Sequence, residues 1–210
     1  PAAQATTPAS HDRMPYRVFL GQVAERLRAT YEGRSGQYER VEQLADDLEL
    51  IARSLAENRG EYAGRFHVRR LLRRVRTFGF HLATLDVRQN AEIHREIVGR
   101  ALAEDGWCDR SAEERRLRLG SALERDESPT AGLDAAAKRA LWVFEAMEFC
   151  SHRYGTAAIG TYVVSMATDV DDVLTVLLLA QWAGLADGPE GVVPLDVAPL
   201  FESVASLENA

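Results

Sequence analysis

Apolar positions recur three and four residues apart along most of this chain and gather into short continuous runs at three places. The first pattern is that of helices with one buried stripe. Residues 15–31 carry Val18, Val23, Leu27 and Tyr31 at roughly the helical period, behind Pro15. Residues 38–58 place Val41, Leu44, Leu48, Ile51 and Leu55 on one stripe, and Arg59-Gly60 ends that helix. Residues 62–77 set Phe66, Leu71, Leu72 and Val75 among six arginines. Further helices are expected over 90–104, from Ser111 behind a Ser-Ala-Glu-Glu start, over 134–154 and over 170–183. The segments 33–36, 106–111, 125–133 and 186–191 read as turns or loops. The three apolar runs, 78–90, 158–167 and 193–202, read as strands. The expected class is therefore α/β, mostly helical, with three strands. Strand, helix, strand over 158–202 is a right-handed parallel unit by default. Carboxyl ends of parallel strands share one edge, where ligands bind. Those ends carry Arg88, Met166 and Glu202.

Side-chain chemistry sharpens part of this picture. The run 78–90 starts apolar and ends in Asp86-Val87-Arg88-Gln89-Asn90, as a buried strand does where it emerges at a functional surface. Arg88 brings a planar donor fork suited to phosphate or carboxylate. The arginines at 65, 69, 70, 73, 74 and 76 lack interleaved stacking aromatics and lie in acidic surroundings, so they are expected to meet acidic neighbours, not RNA. Asp46, Asp47, Glu49 and Glu57 read as a solvated helix face. Asp169, Asp171 and Asp172 read as caps of the helix they open. Leu141, Phe144, Met147 and Phe149 read as core packing. His67 is expected at the surface or between helices and His81 in the core of its strand, while His94, on the face of Asn90, is expected in a structural role, with a role near Arg88 as the alternative.

Composition adds exclusions. The chain has 210 residues, 46% hydrophobic and 27% charged, with a formal net charge of -7. That length supports a sizeable core, and that charge argues against a general nucleic-acid binder. No apolar run reaches the roughly 20 residues of a membrane span. Cys108 and Cys150 lack metal-ligand spacing and read as reduced thiols. Residues 1–14, rich in Ala, Thr and Pro, read as a flexible segment preceding one folded region over 15–210.

Four stretches carry a family resemblance. Phe-Gly-Phe-His-Leu-Ala-Thr-Leu-Asp-Val-Arg-Gln at 78–89 resembles the Arg-Gln strand of phosphoenolpyruvate carboxylase. Pro-Tyr-Arg at 15–17 is similar to a helix start of the same family. Tyr-Val-Val-Ser-Met-Ala at 162–167, followed by Asp-Val-Leu-Thr-Val-Leu-Leu-Leu-Ala at 172–180, is similar to its next barrel strand and helix. Pro-Leu-Phe-Glu at 199–202 with Leu-Glu-Asn-Ala at 207–210 is similar to a signature whose Glu binds the divalent metal.

The resemblance implies a bacterial-type enzyme that joins phosphoenolpyruvate and bicarbonate to give oxaloacetate and phosphate, replenishing the tricarboxylic acid cycle. It implies a TIM barrel of which this chain supplies three parallel strands, Mg²⁺ or Mn²⁺ as cofactor, a cytoplasmic homotetramer, and no nucleic-acid or membrane partner. It makes Arg88 the catalytic and phosphate-binding arginine, Gln89 its substrate-binding neighbour and Glu202 a metal ligand. The family's Gly-His-Pro-Thr, Gly-Tyr-Ser-Asp-Ser and Phe-His-Gly-Arg-Gly-Gly segments do not occur in the chain. The expected reading is an internal fragment of the enzyme, inactive alone. The competing reading is a non-catalytic helical scaffold of the same ancestry.

Overall fold

In the computed structural model the described residues are 13–130, 132–185 and 193–208. Most of the expected flexible start and the whole of the expected loop at 186–191 lie outside them. The chain divides into two compact units, residues 1–83 and 84–210.

Among its described residues the first unit holds three α-helices: α1 (Pro15–Glu32), α2 (Val41–Glu57) and α3 (Phe66–Phe78). Pro15 suits the first helical position, and Gly33 ends α1 with φ +66°. The α2 stripe is as expected, with Leu44, Leu48, Ile51 and Leu55 all buried. Yet α2 starts three residues later than its pattern suggests. Tyr38 is held outside it, its N–H donating to the Thr30 hydroxyl at 2.9 Å and its own hydroxyl to Asp47 at 2.7 Å. Arg26 caps this group from above, 3.8 Å from the Tyr38 ring centroid and 3.2 Å from Asp47. Asp47 is thus no solvated residue but a tie between α1 and α2. Glu49 stays exposed, as expected of a solvated face, while pairing with Arg76 at 2.7 Å, and Glu61 pairs with Arg65, so Arg65 and Arg76 have the acidic neighbours expected of them. The apolar positions of α1 and α3 depart from expectation: Val23 and Leu72 are buried, but Tyr31, Phe66 and Leu71 are exposed. The start of α3 moves to Phe66 because Gly64, at φ +105°, breaks the chain into a wider turn over Glu61–Arg65.

Strand expectations fail first at 78–84. Phe78 still belongs to α3, and Gly79 and Leu82 take φ of +55° and +67°, a left-handed geometry no strand contains. His81 lies in that turn, half-buried, and not in a strand core.

The second unit begins with β1 (Leu85–Asn90) and α4 (Ala91–Ala101), followed by α5 (Ala112–Glu124), α6 (Ala135–Tyr154), β2 (Ile159–Ser165), α7 (Val170–Trp182), β3 (Asp196–Leu200) and the short α8 (Val204–Glu208). Caps set several boundaries: Ser111 and Glu114 form a capping box on α5, and Asp134 caps α6. The sheet runs β1-β2-β3, parallel throughout. Arg88 lies in register with Val163, and Val163 with Ala198; one residue on, Gln89 meets Val164 and Pro199.

That register separates two faces, because side chains alternate along a strand. Val87, Tyr162, Val164 and Val197 join the core with residues of α4, α5, α6 and α7. Phe144 stacks on Tyr162 with centroids 5.1 Å apart, and the core includes Leu141 and Met147, though Phe149 points out. Arg88, Val163, Ser165, Ala198 and Leu200 form the other face and take no part in that core. The expectation of a buried first strand is corrected here: β1 is an edge strand, with Leu85, Asp86 and Arg88 exposed.

Candidate functional site

The last three residues of β1 go separate ways. Asn90 caps α4, its Oδ1 accepting the Glu92 N–H at 2.8 Å. Gln89 shares the helix-covered face with Val164 through the register, while its carbonyl accepts the Ser165 hydroxyl at 3.1 Å. Arg88 reaches over the open face, and its Nη2 donates to Oε1 of Glu202, just past the end of β3. The two residues lie 114 positions apart in the chain. The guanidinium is the more exposed partner, at 59% against 31% for the carboxylate side chain.

Asp86, the carboxylate nearest Arg88 in sequence, has other work. Its Oδ1 accepts the Thr161 N–H at 2.8 Å. The carboxylate fits there because residue 160 is glycine: a Cβ would collide with that oxygen. Two of the expected site residues, Arg88 and Glu202, therefore meet at the carboxyl edge of the sheet, and Gln89 is turned from them. Met166, at the tip of β2 between them, is 44% exposed with φ +58°.

Behind this edge lies a buried charge cluster. Asp169 caps α7 as expected, accepting the Val170 N–H at 2.6 Å. Asp171 and Asp172 do more than cap. Both are fully buried, and each is bound by an arginine from another helix. Arg95 of α4 donates from Nε and Nη2 to the two oxygens of Asp172 at 2.6 and 2.9 Å. Arg115 of α5 donates from Nε to Asp171 at 2.5 Å. Burial by itself would push the Asp172 carboxyl up; the Arg95 hydrogen bonds and the Thr168 N–H outweigh it and hold the group below its ordinary pKa. Asp171 goes the other way, raised by burial despite Arg115. The sequence does carry one trace of this cluster. Arg95 stands three and seven residues before the buried Val98 and Leu102, so a cation shares the core-facing stripe of α4. His94 is buried beside it, its Nε2 3.2 Å from the Tyr162 hydroxyl, in the structural role expected.

A family model described as phosphoenolpyruvate carboxylase matches residues 2–210. The chain belongs to the phosphoenolpyruvate carboxylase family. Its relatives carry the same name: one from Xanthomonas oryzae pv. oryzae is 44% identical over 209 residues, covering 100% of this chain and 23% of that protein. One from Aromatoleum aromaticum is 34% identical over 215 residues, covering 93% of this chain and 24% of that protein. One from Mycobacterium avium is 35% identical over 216 residues, with 93% and 23% covered. The chain thus spans about a quarter of the length of these phosphoenolpyruvate carboxylases.

The family resemblance implies a divalent cation on Glu202, and the described residues do not fit one by themselves. No group of three or more His, Cys, Asp or Glu among them could hold a metal ion, and the Glu202 carboxylate is engaged by a guanidinium. A hard cation such as Mg²⁺ takes near-octahedral oxygen ligands, and a fixed positive charge on its one carboxylate opposes it. Cys108 and Cys150 are not bonded to each other. No helix among the described residues is long and apolar enough to cross a membrane.

Proposed function

We propose that this chain is part of a phosphoenolpyruvate carboxylase that joins phosphoenolpyruvate and bicarbonate to oxaloacetate and phosphate, and that Arg88 binds the phosphate the reaction transfers. The observation that carries the reading is the meeting of Arg88 and Glu202 on the open face of the sheet, at its carboxyl edge. The topology supports a TIM barrel around that edge. Strand order follows chain order, and α4, α6 and α7 share one core against one face. A doubly wound sheet would carry helices on both faces, whereas a barrel keeps them in an outer ring. Parallel sheets are covered on both sides, so further strands closing the barrel would make the open face its interior. Such an interior would put Arg88 where active sites of the fold are built.

The role of Arg88 follows from its geometry. A guanidinium offers two parallel charge-assisted hydrogen bonds to a phosphoryl group, and here it is aimed from a strand, not a loop. Glu202 supplies a counter-charge to the guanidinium from the end of β3. Gln89, on the opposite face, supports the strand and not the phosphate directly. Mg²⁺ or Mn²⁺ belongs to the proposal only for the complete enzyme, with carboxylates from outside this chain. The cytoplasmic location, the homotetramer and the role in replenishing the tricarboxylic acid cycle are part of the same reading.

The test is Arg88→Lys in a full-length protein carrying this chain. Lys keeps the charge but cannot reproduce the fork. Losing a preorganised donor typically costs on the order of 10² to 10³ in rate, so kcat/KM for phosphoenolpyruvate should fall by at least roughly tenfold. An ion pair this exposed contributes at most about 1 kcal/mol to stability, so the melting temperature should stay near normal. Unaltered kcat/KM in the folded variant would show that Arg88 is structural.

A further inference from the structure

The β2–α7 loop, residues 166–169, is held in an arrangement that helix capping does not require. Asp169 already caps α7. Asp172, in the first turn of the helix, nevertheless reaches back past that cap, and its Oδ2 accepts both the N–H and the hydroxyl of Thr168, at 2.8 and 3.2 Å. Arg95 closes the group: its Nη2 donates to the same Oδ2 and to the Thr168 hydroxyl, each at 2.9 Å, while its Nε holds Oδ1. Asp172 is 1% exposed. Burying an ion pair adds little net stability compared with apolar packing, because desolvation offsets the attraction. What such a group supplies is a defined geometry, with both Asp172 oxygens and the Nε and Nη2 of Arg95 assigned.

Three strand ends meet at this loop. Arg95 sits on α4, which follows the β1 end bearing Arg88 without a break. Thr168 lies two residues past Met166, whose left-handed φ of +58° is unfavourable for a side chain of that size and has to be held by its surroundings. Between them, the Ala167 N–H donates to the Leu200 carbonyl at 3.2 Å. Leu200 is the last residue of β3, two positions before Glu202, the partner of Arg88. The chain of contacts therefore runs from α4 through Arg95, Asp172 and Thr168 to the loop, and from the loop to the end of β3.

We infer that Arg95 and Asp172 are positioning residues: their clasp on Thr168 sets the β2–α7 loop, and through the Ala167–Leu200 hydrogen bond the placement of Glu202 against Arg88. The inference rests on the reading that Arg88 binds phosphate, and it adds residues that touch neither the substrate nor the ion pair.

The experiment is a double-mutant cycle in a full-length protein carrying this chain, with Arg95→Lys, Arg88→Lys and the combination. Lys at 95 keeps the positive charge for Asp172 but cannot bind both of its oxygens and Thr168 together. Arg95→Lys should lower kcat/KM for phosphoenolpyruvate at least roughly tenfold, and weaken inhibition by inorganic phosphate by a similar factor. In the Arg88→Lys background it should add less than about twofold, because the guanidinium that Glu202 is placed against is already gone. A merely structural role would multiply the two losses. Should Arg95→Lys fail to fold, Thr168→Val leaves the Arg95–Asp172 pair intact and removes only the shared hydroxyl; it should show the same non-additivity with a smaller loss. Additive losses, or wild-type kinetics in folded Arg95→Lys or Thr168→Val protein, would overturn the positioning role while Arg88→Lys still lowers kcat/KM. Wild-type kinetics in Arg88→Lys would overturn the phosphate reading, and the positioning role with it.

Discussion

Acidification should destabilise the second unit by way of His94, and the size of the effect can be worked from its surroundings. The imidazole is 2% exposed; its Nε2 faces the Tyr162 hydroxyl, and its Nδ1 is buried with no hydrogen-bond partner. Burial disfavours the charged ring and pushes its pKa from an ordinary 6.5 down to about 4, against the pull of the Asp172 carboxylate. A lowered histidine pKa means that the unfolded chain binds the proton first. Stability from the neutral ring is therefore intact above 6.5 and lost as pH falls from 6.5 toward 4. Each pH step in that gap is worth about 1.4 kcal/mol. The linkage relation then gives about 2 kcal/mol lost between pH 7.5 and pH 5, and about 3 kcal/mol at completion. Other groups titrate in this range, so the comparison is with His94→Gln, which keeps a polar side chain beside Tyr162 and removes the titration. The three tryptophans, at 107, 142 and 182, all lie in the second unit, so their fluorescence in urea reports it alone. The wild type should lose about 2 kcal/mol more than His94→Gln between pH 7.5 and pH 5. Parallel curves for the two proteins would show that the buried ring is not what titrates.

Two further stability predictions follow from packing. Gly99→Ala on α4 would ordinarily gain about 1 kcal/mol in helix propensity, but its Cβ would stand 2.6 to 2.7 Å from three atoms of the buried Trp107. Overpacking at about 1 to 3 kcal/mol should prevail, and a urea midpoint above wild type would contradict it. Phe144→Ala removes a fully buried ring stacked on Tyr162 and should cost roughly 3 to 5 kcal/mol; a calorimetric melting temperature within a few degrees of wild type would mean that the core closes over the gap.

Local chemistry alone determined much of this protein. Ser111, Asp134 and Asp169 start helices because their oxygens can take up orphan N–H groups, and Gly155 ends one at φ +100° where other residues are strained. The spacing of Leu44, Leu48, Ile51 and Leu55 dictates the buried stripe of α2. The run from 158 to 202 specified two parallel strands and the helix between them, because connection length and handedness leave little choice. Other features depended on groups far apart in the chain. Periodicity on α1 and α3 shows that apolar side chains can share a face, not which face meets the core, and Tyr31 and Phe66 stay exposed. Residues 78–84 read as strand by composition, yet the left-handed turn at Gly79 and Leu82 ends α3 first. Asp171 and Asp172 read as caps until Arg95 and Arg115 arrive from two other helices. The meeting of Arg88 with Glu202 across 114 positions is of the same kind. Each residue's chemistry is legible by itself, but strand register and the shared edge of the sheet bring the charges together, and no spacing within either motif encodes that distance.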